Sequence, residues 1–183
     1  NYQLSSTSVV GSGSIAARTL TANVAAADKV YDGTTATSVV LLGDDRVAGD
    51  QLVLSGGTGS FLDKNAGNNK AVSLSGLNVG GADAGNYDVS FVANSTASIT
   101  QRALQVSASG VDKVYDGSLV AGVTYGDNRL AGDQLQVSGN ASFADKNVGN
   151  GKAVAVSGIS LAGADAGNYA VSNGTANTSA SIT

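Results

Sequence analysis

The sequence contains no cysteine, histidine, methionine, tryptophan, proline or glutamate. Those absences exclude most catalytic chemistry. There is no imidazole base, no thiol nucleophile and no zinc site built on either, so acid–base work falls to Asp, Lys and Tyr alone. Charge is scarce as well. Ten cations face 14 aspartates, for a net charge of −4 and a pI near 4.5, which leaves no basic footprint for a nucleic-acid duplex. Nucleic acid is therefore not an expected partner, and no cofactor is expected. Runs of about 18 apolar residues are missing too, so no helical membrane insertion is expected. The opening, "NYQLSSTSVV", has neither the basic flank nor the apolar stretch of a signal peptide. The chain reads as an internal part of a longer protein.

What the sequence has in quantity is Gly (25 residues), Ala, Val, Leu, Ser and Thr, with 42% hydrophobic residues. That balance predicts a folded, β-rich chain: too hydrophobic and too weakly charged for disorder, and rich in residues that suit strands and turns. Sliding the sequence on itself exposes a duplication with a period of 82 to 84 residues. "DKVYDG" at Asp28 to Gly33 returns at Asp112 to Gly117, and "AGDQL" at Ala48 to Leu52 returns at Ala131 to Leu135. "DKNAGNNKAV" from Asp63 matches "DKNVGNGKAV" from Asp145, and "GADAGNY" at Gly81 to Tyr87 matches Gly163 to Tyr169. All ten cations fall into five pairs: Arg18/Arg102, Lys29/Lys113, Arg46/Arg129, Lys64/Lys146 and Lys70/Lys152. Twelve aspartates pair likewise; Asp45 faces Asn128 and Asp88 faces Ala170. The expected organisation is residues 1–17 as the tail of a preceding repeat, then repeats at 18–101 and 102–183.

Alternation of apolar residues marks the strands: Leu20, Ala22 and Val24; Leu52 and Leu54; Val72, Leu74, Leu77 and Val79; Tyr87, Val89 and Phe91; and Ile99. Gly- and Asn-rich turns separate them. Six or seven strands in about 84 residues fit a tandem of small immunoglobulin-like β-sandwiches set end to end. A β-grasp-like sheet with one short helix is the alternative. In "ADAGNYDV" the spacing of Asp83, Gly85 and Tyr87, repeated at Asp165, Gly167 and Tyr169, resembles a tyrosine corner, whose hydroxyl ties a loop to main chain. Tyr31-Asp32-Gly33 and Tyr115-Asp116-Gly117 read as a strand end followed by an Asp-Gly turn, with the tyrosine buried and bonded. All twelve residues are expected to be structural. No linker separates the copies, because "ASITQRALQVSA" runs from a last strand into a first, which predicts a stiff junction. Residues 1–17 are expected to be extended and paired.

Together, "KVYDGTT", "DKNAGNNKAVSLSGL" and "GADAGNYDVS…ASITQRAL" resemble the YDG repeat of very large bacterial surface exoproteins similar to filamentous haemagglutinin. The resemblance covers residues 18–183 and departs at Gln101, where the family often has a proline. It implies an extracellular stalk module of a secreted adhesin, on the surface of a Gram-negative bacterium at its outer membrane, serving biofilm formation or host attachment. It supplies no catalytic residue.

The remaining candidates are weaker. "DKNAGNNK" lacks the alternating oxygens and the distant bidentate acid of a calcium loop, so no metal site is expected; Asp28, Asp32, Asp112 and Asp116 are the next aspartates a cation could use. An internal Lys–Asn amide bond could draw on Lys29, Lys64 or Lys70 with Asn65 or Asn86, but it needs a buried lysine beside a protonated acid, and these lysines lie in polar segments. The reading that follows is a non-catalytic spacer whose partners are the neighbouring repeats. Its rival is an adhesive module that grips glycan or matrix protein through surface loops, which would show an exposed aromatic cluster.

Overall fold

The computed structural model describes residues 10–91 and 94–183. The first repeat holds β1 (Arg18–Ala26), β2 (Lys29–Val30), β3 (Ala36–Thr37), β4 (Val39–Asp44), β5 (Val53–Phe61), β6 (Gly67–Gly80), β7 (Tyr87–Phe91) and β8 (Asn94–Thr100). The second holds β9 (Arg102–Leu104), β10 (Val106–Val111), β11 (Gly122–Asp127), β12 (Gln136–Phe143), β13 (Gly149–Ala162), β14 (Tyr169–Val171) and β15 (Thr175–Ile182). The protein is all-β. Among the described residues no α-helix occurs, so the helix of the β-grasp alternative is absent. Its place is taken by 3-10 turns at Ala84–Asn86 and Ala166–Asn168.

In the first repeat β1 lies between β4, antiparallel, and β7, parallel, while a second sheet runs β2-β8-β6-β5-β3. The second repeat follows the same plan. β10 pairs β11, β9 pairs β14 in parallel, and β13 lies between β12 and β15. Single bridges Lys113–Ile182 and Val120–Ser142 stand where β2–β8 and β3–β5 pair in the first. Residues 10–17 form no strand and lie exposed, against the expectation of extended pairing. The tail strands β8 and β15 already fill the edges of β6 and β13, and no described strand is free to take another tail. Residues 1–9, with the Asn1–Tyr2 remnant, lie outside the described residues.

The period drifts because residues are gained and lost at two strand positions. Arg18 to Arg102 spans 84, Arg46 to Arg129 spans 83, and Lys64 to Lys146 spans 82. At the first step the β1–β4 ladder shifts register between Asn23 and Val24, Val24 pairing with Leu41 and Asn23 with Gly43. Leu42 is thus an extra, bulged residue. β10–β11 has no such shift and pairs Ala108 with Tyr125, so Tyr125 corresponds to Leu41, not to Leu42 as the sequence offset suggests. At the second step β5–β6 runs in register through Gly56–Leu77 and Thr58–Ser75, while β12, one residue shorter there, shifts against β13 between Ser138 and Asn140.

The apolar core does not follow the sequence duplication. Leu20, Leu52 and Tyr87 form a small cluster at the start of the first repeat, and Phe143, Val154, Ala180 and Ile182 form another at the end of the second. Between them one large cluster joins Tyr31, Phe61, Val72, Ala97 and Ile99 of the first repeat to Leu104, Val106, Val156 and Tyr169 of the second. The packing unit is therefore offset by half a repeat. The end of one copy and the start of the next share a core.

Candidate functional site

The shared core makes the joint between the copies the most built part of the molecule. Its first half comes from the YDG segment. Lys29 Nζ lies within hydrogen-bond distance of Asp32 Oδ1 (2.7 Å), the Thr34 carbonyl and hydroxyl (2.8 and 2.9 Å) and the Ala36 carbonyl (2.8 Å), and it lies 5.9 Å from the Phe61 ring centre. The Thr34 N–H donates to Asp32 Oδ1 at 2.9 Å, closing an Asx turn that Gly33, at φ 80°, completes. Burial pushes the Asp32 carboxyl up, but the Lys29 ammonium and the Thr34 donors outweigh it and hold it down at about 2. Lys113, Asp116, Gly117 and Ser118 repeat the arrangement, and there Lys113, followed by the Ser118 donors, holds Asp116 at about 2. The Asp-Gly pair is thus not a two-residue hairpin turn, since β2 and β3 pair with β8 and β5 and not with each other. It is a loop wound around a lysine. The residue that sequence reasoning missed is that lysine; its signal was the Lys-x-x-Asp-x-Thr/Ser spacing common to both copies.

The second half of the joint comes from two motifs that latch onto each other. The Gln51 N–H donates to Asp83 Oδ2 at 2.8 Å, and the Asp83 N–H donates to the Gln51 carbonyl at 3.3 Å. Gly81, at φ 107°, passes so close that a Cβ there would lie 2.2 Å from the Gln51 oxygen. Tyr87 is buried; its hydroxyl accepts from the Val47 N–H at 3.0 Å and donates to Asp50 Oδ2. Gln134, Gly163, Asp165 and Tyr169 reproduce this, with the Leu130 N–H donating to the Tyr169 hydroxyl at 2.9 Å. The tyrosine therefore ties down a loop about 40 residues upstream. A tyrosine corner reaches back only a few residues. Gly85 and Gly167 sit in the 3-10 turns with open space beside them.

At the joint these halves meet. Tyr31 is wholly buried, its ring edge-on to Tyr169 at 5.5 Å between centres. Its hydroxyl donates to the Asp133 carboxylate at 3.0 Å, Tyr169 donates to the same carboxylate at 2.6 Å, and Lys64 Nζ donates to it at 3.2 Å. Lys64 also lies 3.4 Å from Asp165. Asn168, 3% exposed, receives the Ala66 N–H at 2.8 Å and donates to Asn65 Oδ1 at 3.2 Å. Gln101, in the connection itself, donates to the Gly167 carbonyl at 2.9 Å. Leu130 Cδ1 packs against Gly33, 3.4 Å from where a Cβ would stand. Burial pushes the Asp133 carboxyl up, yet Tyr169, Lys64 and Tyr31 outweigh it and hold it below the ordinary carboxylate range. Three donors converge on an ionised acid and are spent on it. The cluster fastens; it holds no proton in reserve for chemistry.

The other candidates are placed as follows. Asp28 and Asp112 each accept a backbone N–H, from Ser98 and Ser181, at 2.6 Å. Asp32 and Asp116 are engaged by their lysines. Among the described residues no three potential metal-ligating side chains come together. Asp63 accepts the Asn65 N–H and pairs with Lys70, as Asp145 does with Asn147 and Lys152, so "DKNAGNNK" is a capped turn. Lys29, Lys64 and Lys70, considered for an amide bond, each pair with an aspartate. Asp45 and Asn128 do the same work through one oxygen, accepting the N–H groups of Thr21 and Gln105. Phe91 lies beside Ala22 in the β1–β7 ladder; in the second copy the Asn173 side chain caps Val106 instead, donating to its carbonyl and accepting its N–H. Among the described aromatic residues only Tyr115 is exposed.

A comparison with protein-family models matches the YDG domain twice, at residues 16–97 and 100–179. No curated protein and no solved structure matches the chain.

Proposed function

Since the chain belongs to the YDG domain family, with two copies in tandem along it, we propose that it is a non-catalytic spacer. It extends an adhesive region of a secreted bacterial adhesin away from the outer membrane, in biofilm formation or host attachment. The observation that carries this reading is the joint. Two repeats share one apolar core, and a buried Asp133 carboxylate gathers Tyr31 and Lys64 from one copy and Tyr169 from the other. A binding module needs an accessible, pre-formed surface; a spacer needs neighbouring units that cannot swing. The most elaborate polar cluster of the described chain serves the second need.

Each repeat is read here as a variant immunoglobulin-like sandwich, with the β1 sheet and the β6 sheet facing one another across the core. The absence of cysteine suits a chain threaded unfolded through an outer-membrane pore, because no disulfide can form early in an oxidising periplasm. Reach then grows with the number of stacked units.

The test displays arrays of different repeat number beneath one fixed binding tip on a bead or cell. Capture of a tethered ligand across a gap should extend to wider gaps as repeats are added, and arrays without the tip should capture nothing. Tip-less arrays that bind glycan or matrix protein would replace the spacer with the adhesive-module reading.

A further inference from the structure

The two ends of the structure carry the two halves of the internal joint, uncovered. At one end, Tyr115, Gly117, Lys146 and Asn147 correspond to Tyr31, Gly33, Lys64 and Asn65. Tyr31 is 0% exposed and Tyr115 is 49% exposed. Lys64 reaches two carboxylates across the joint, whereas Lys146 lies exposed with no ion-pair partner among the described residues. At the other end, Val47, Asp50, Asn86 and Tyr87 correspond to Leu130, Asp133, Asn168 and Tyr169. Asn168 is buried and bonded on both sides of its amide; Asn86 is exposed. Asp50 is met by Tyr87 alone where Asp133 is met by three donors.

We infer that these ends are complementary docking surfaces, and that the occupant of each is the opposite end of a second copy of this chain, giving head-to-tail association. The internal joint supplies the argument, because it shows the same two faces already bound. Docking would bring Lys146 to Asp50 and Asp83, close the Tyr115 hydroxyl onto Asp50, seat Asn86 on the backbone N–H of Val148, and set Val47 against Gly117. A cationic face meets an acidic one, and an exposed tyrosine meets a carboxylate with acceptor capacity to spare. The contact is heterologous, so it propagates rather than closes. Inside the chain the joint benefits from covalent connection, whereas between chains that effective concentration is lost. Association between copies is accordingly weak and concentration-dependent. It is independent of the spacer reading: a protein that stays monomeric would overturn this inference and leave the internal joint as it is.

The test is sedimentation velocity from about 10 µM to about 1 mM, a range set by the loss of the tether, on the unaltered protein and on Tyr115→Ser and Asn86→Arg. Both residues are exposed, so both variants should fold, which circular dichroism checks. The unaltered protein should show a sedimentation coefficient that rises with concentration past the dimer. Each variant alone should lose that dependence. An equimolar mixture should form dimers and stop there, because each variant keeps the face that the other has lost. A concentration-independent monomer, variants that associate like the unaltered protein, or a mixture that grows past dimers would overturn the inference.

Discussion

At the scale of single residues the two copies act as an internal control, since the same side chain meets different surroundings. Asp133 receives Tyr31, Tyr169 and Lys64, while Asp50 receives Tyr87. Replacing Asp133 by Ala leaves two buried hydroxyls and an ammonium without their acceptor and should cost about 3 kcal/mol; Asp50→Ala should cost about 1 kcal/mol. Urea unfolding of the two variants measures the difference, and equal losses would remove the joint from the account. Acid should act on the same carboxylates. Asp133 is held below its ordinary value in the folded state, and Asp32 and Asp116 lie at about 2. For such groups the folded form binds protons less readily than the unfolded one. Their stabilisation is complete above the unfolded value near pH 4 and is lost as pH falls from about 4 toward 2. With no histidine in the chain, the melting temperature should stay level between about pH 5 and 8 and drop below about pH 4. Thermal melts across that range check the sign. The identities of these residues were legible in the sequence, as duplicated Tyr, Asp and Lys. Their division of labour was not, because Tyr31 and Tyr115 carry the same letter and differ only in what lies beyond them.

At the scale of strands, the alternation in β1, β6 and β7 was readable because one face of each is buried: Leu20 and Ala22, Val72 and Leu74, Tyr87. The parallel β1–β7 and β2–β8 pairs were not readable, since alternation reports burial and is silent about partners. Length changes between copies lay in plain view as a drifting period, but only the ladders place them. Deleting Leu42, the bulged residue of β4, should give the first repeat the register that β10–β11 already uses and shift stability by about 0.5 kcal/mol or less. Deleting Ser73 from the middle of β6 should unfold the repeat, because a one-residue slip turns either Val72 or Leu74 to the wrong face. Chemical unfolding of both deletions decides this; comparable effects would mean that the bulge is not where the extra residue sits.

At the scale of the whole molecule, the stiff junction could be inferred from the missing linker, but its cause could not. The connection is short, yet shortness alone leaves a hinge at Gln101. The hinge is closed by contacts made far from it in sequence, Tyr31 and Lys64 to Asp133 and Asn65 to Asn168. The central claim, that this joint makes two repeats one extended unit, is tested most directly by small-angle scattering on the unaltered protein beside Asn168→Arg, which forces a large side chain into the joint. The account predicts one extended conformation for the unaltered protein, with a radius of gyration well above the roughly 16 Å of a compact 183-residue globule, and a broad spread of bent conformations for the variant. A compact or broadly bent unaltered protein, indistinguishable from Asn168→Arg, would contradict it.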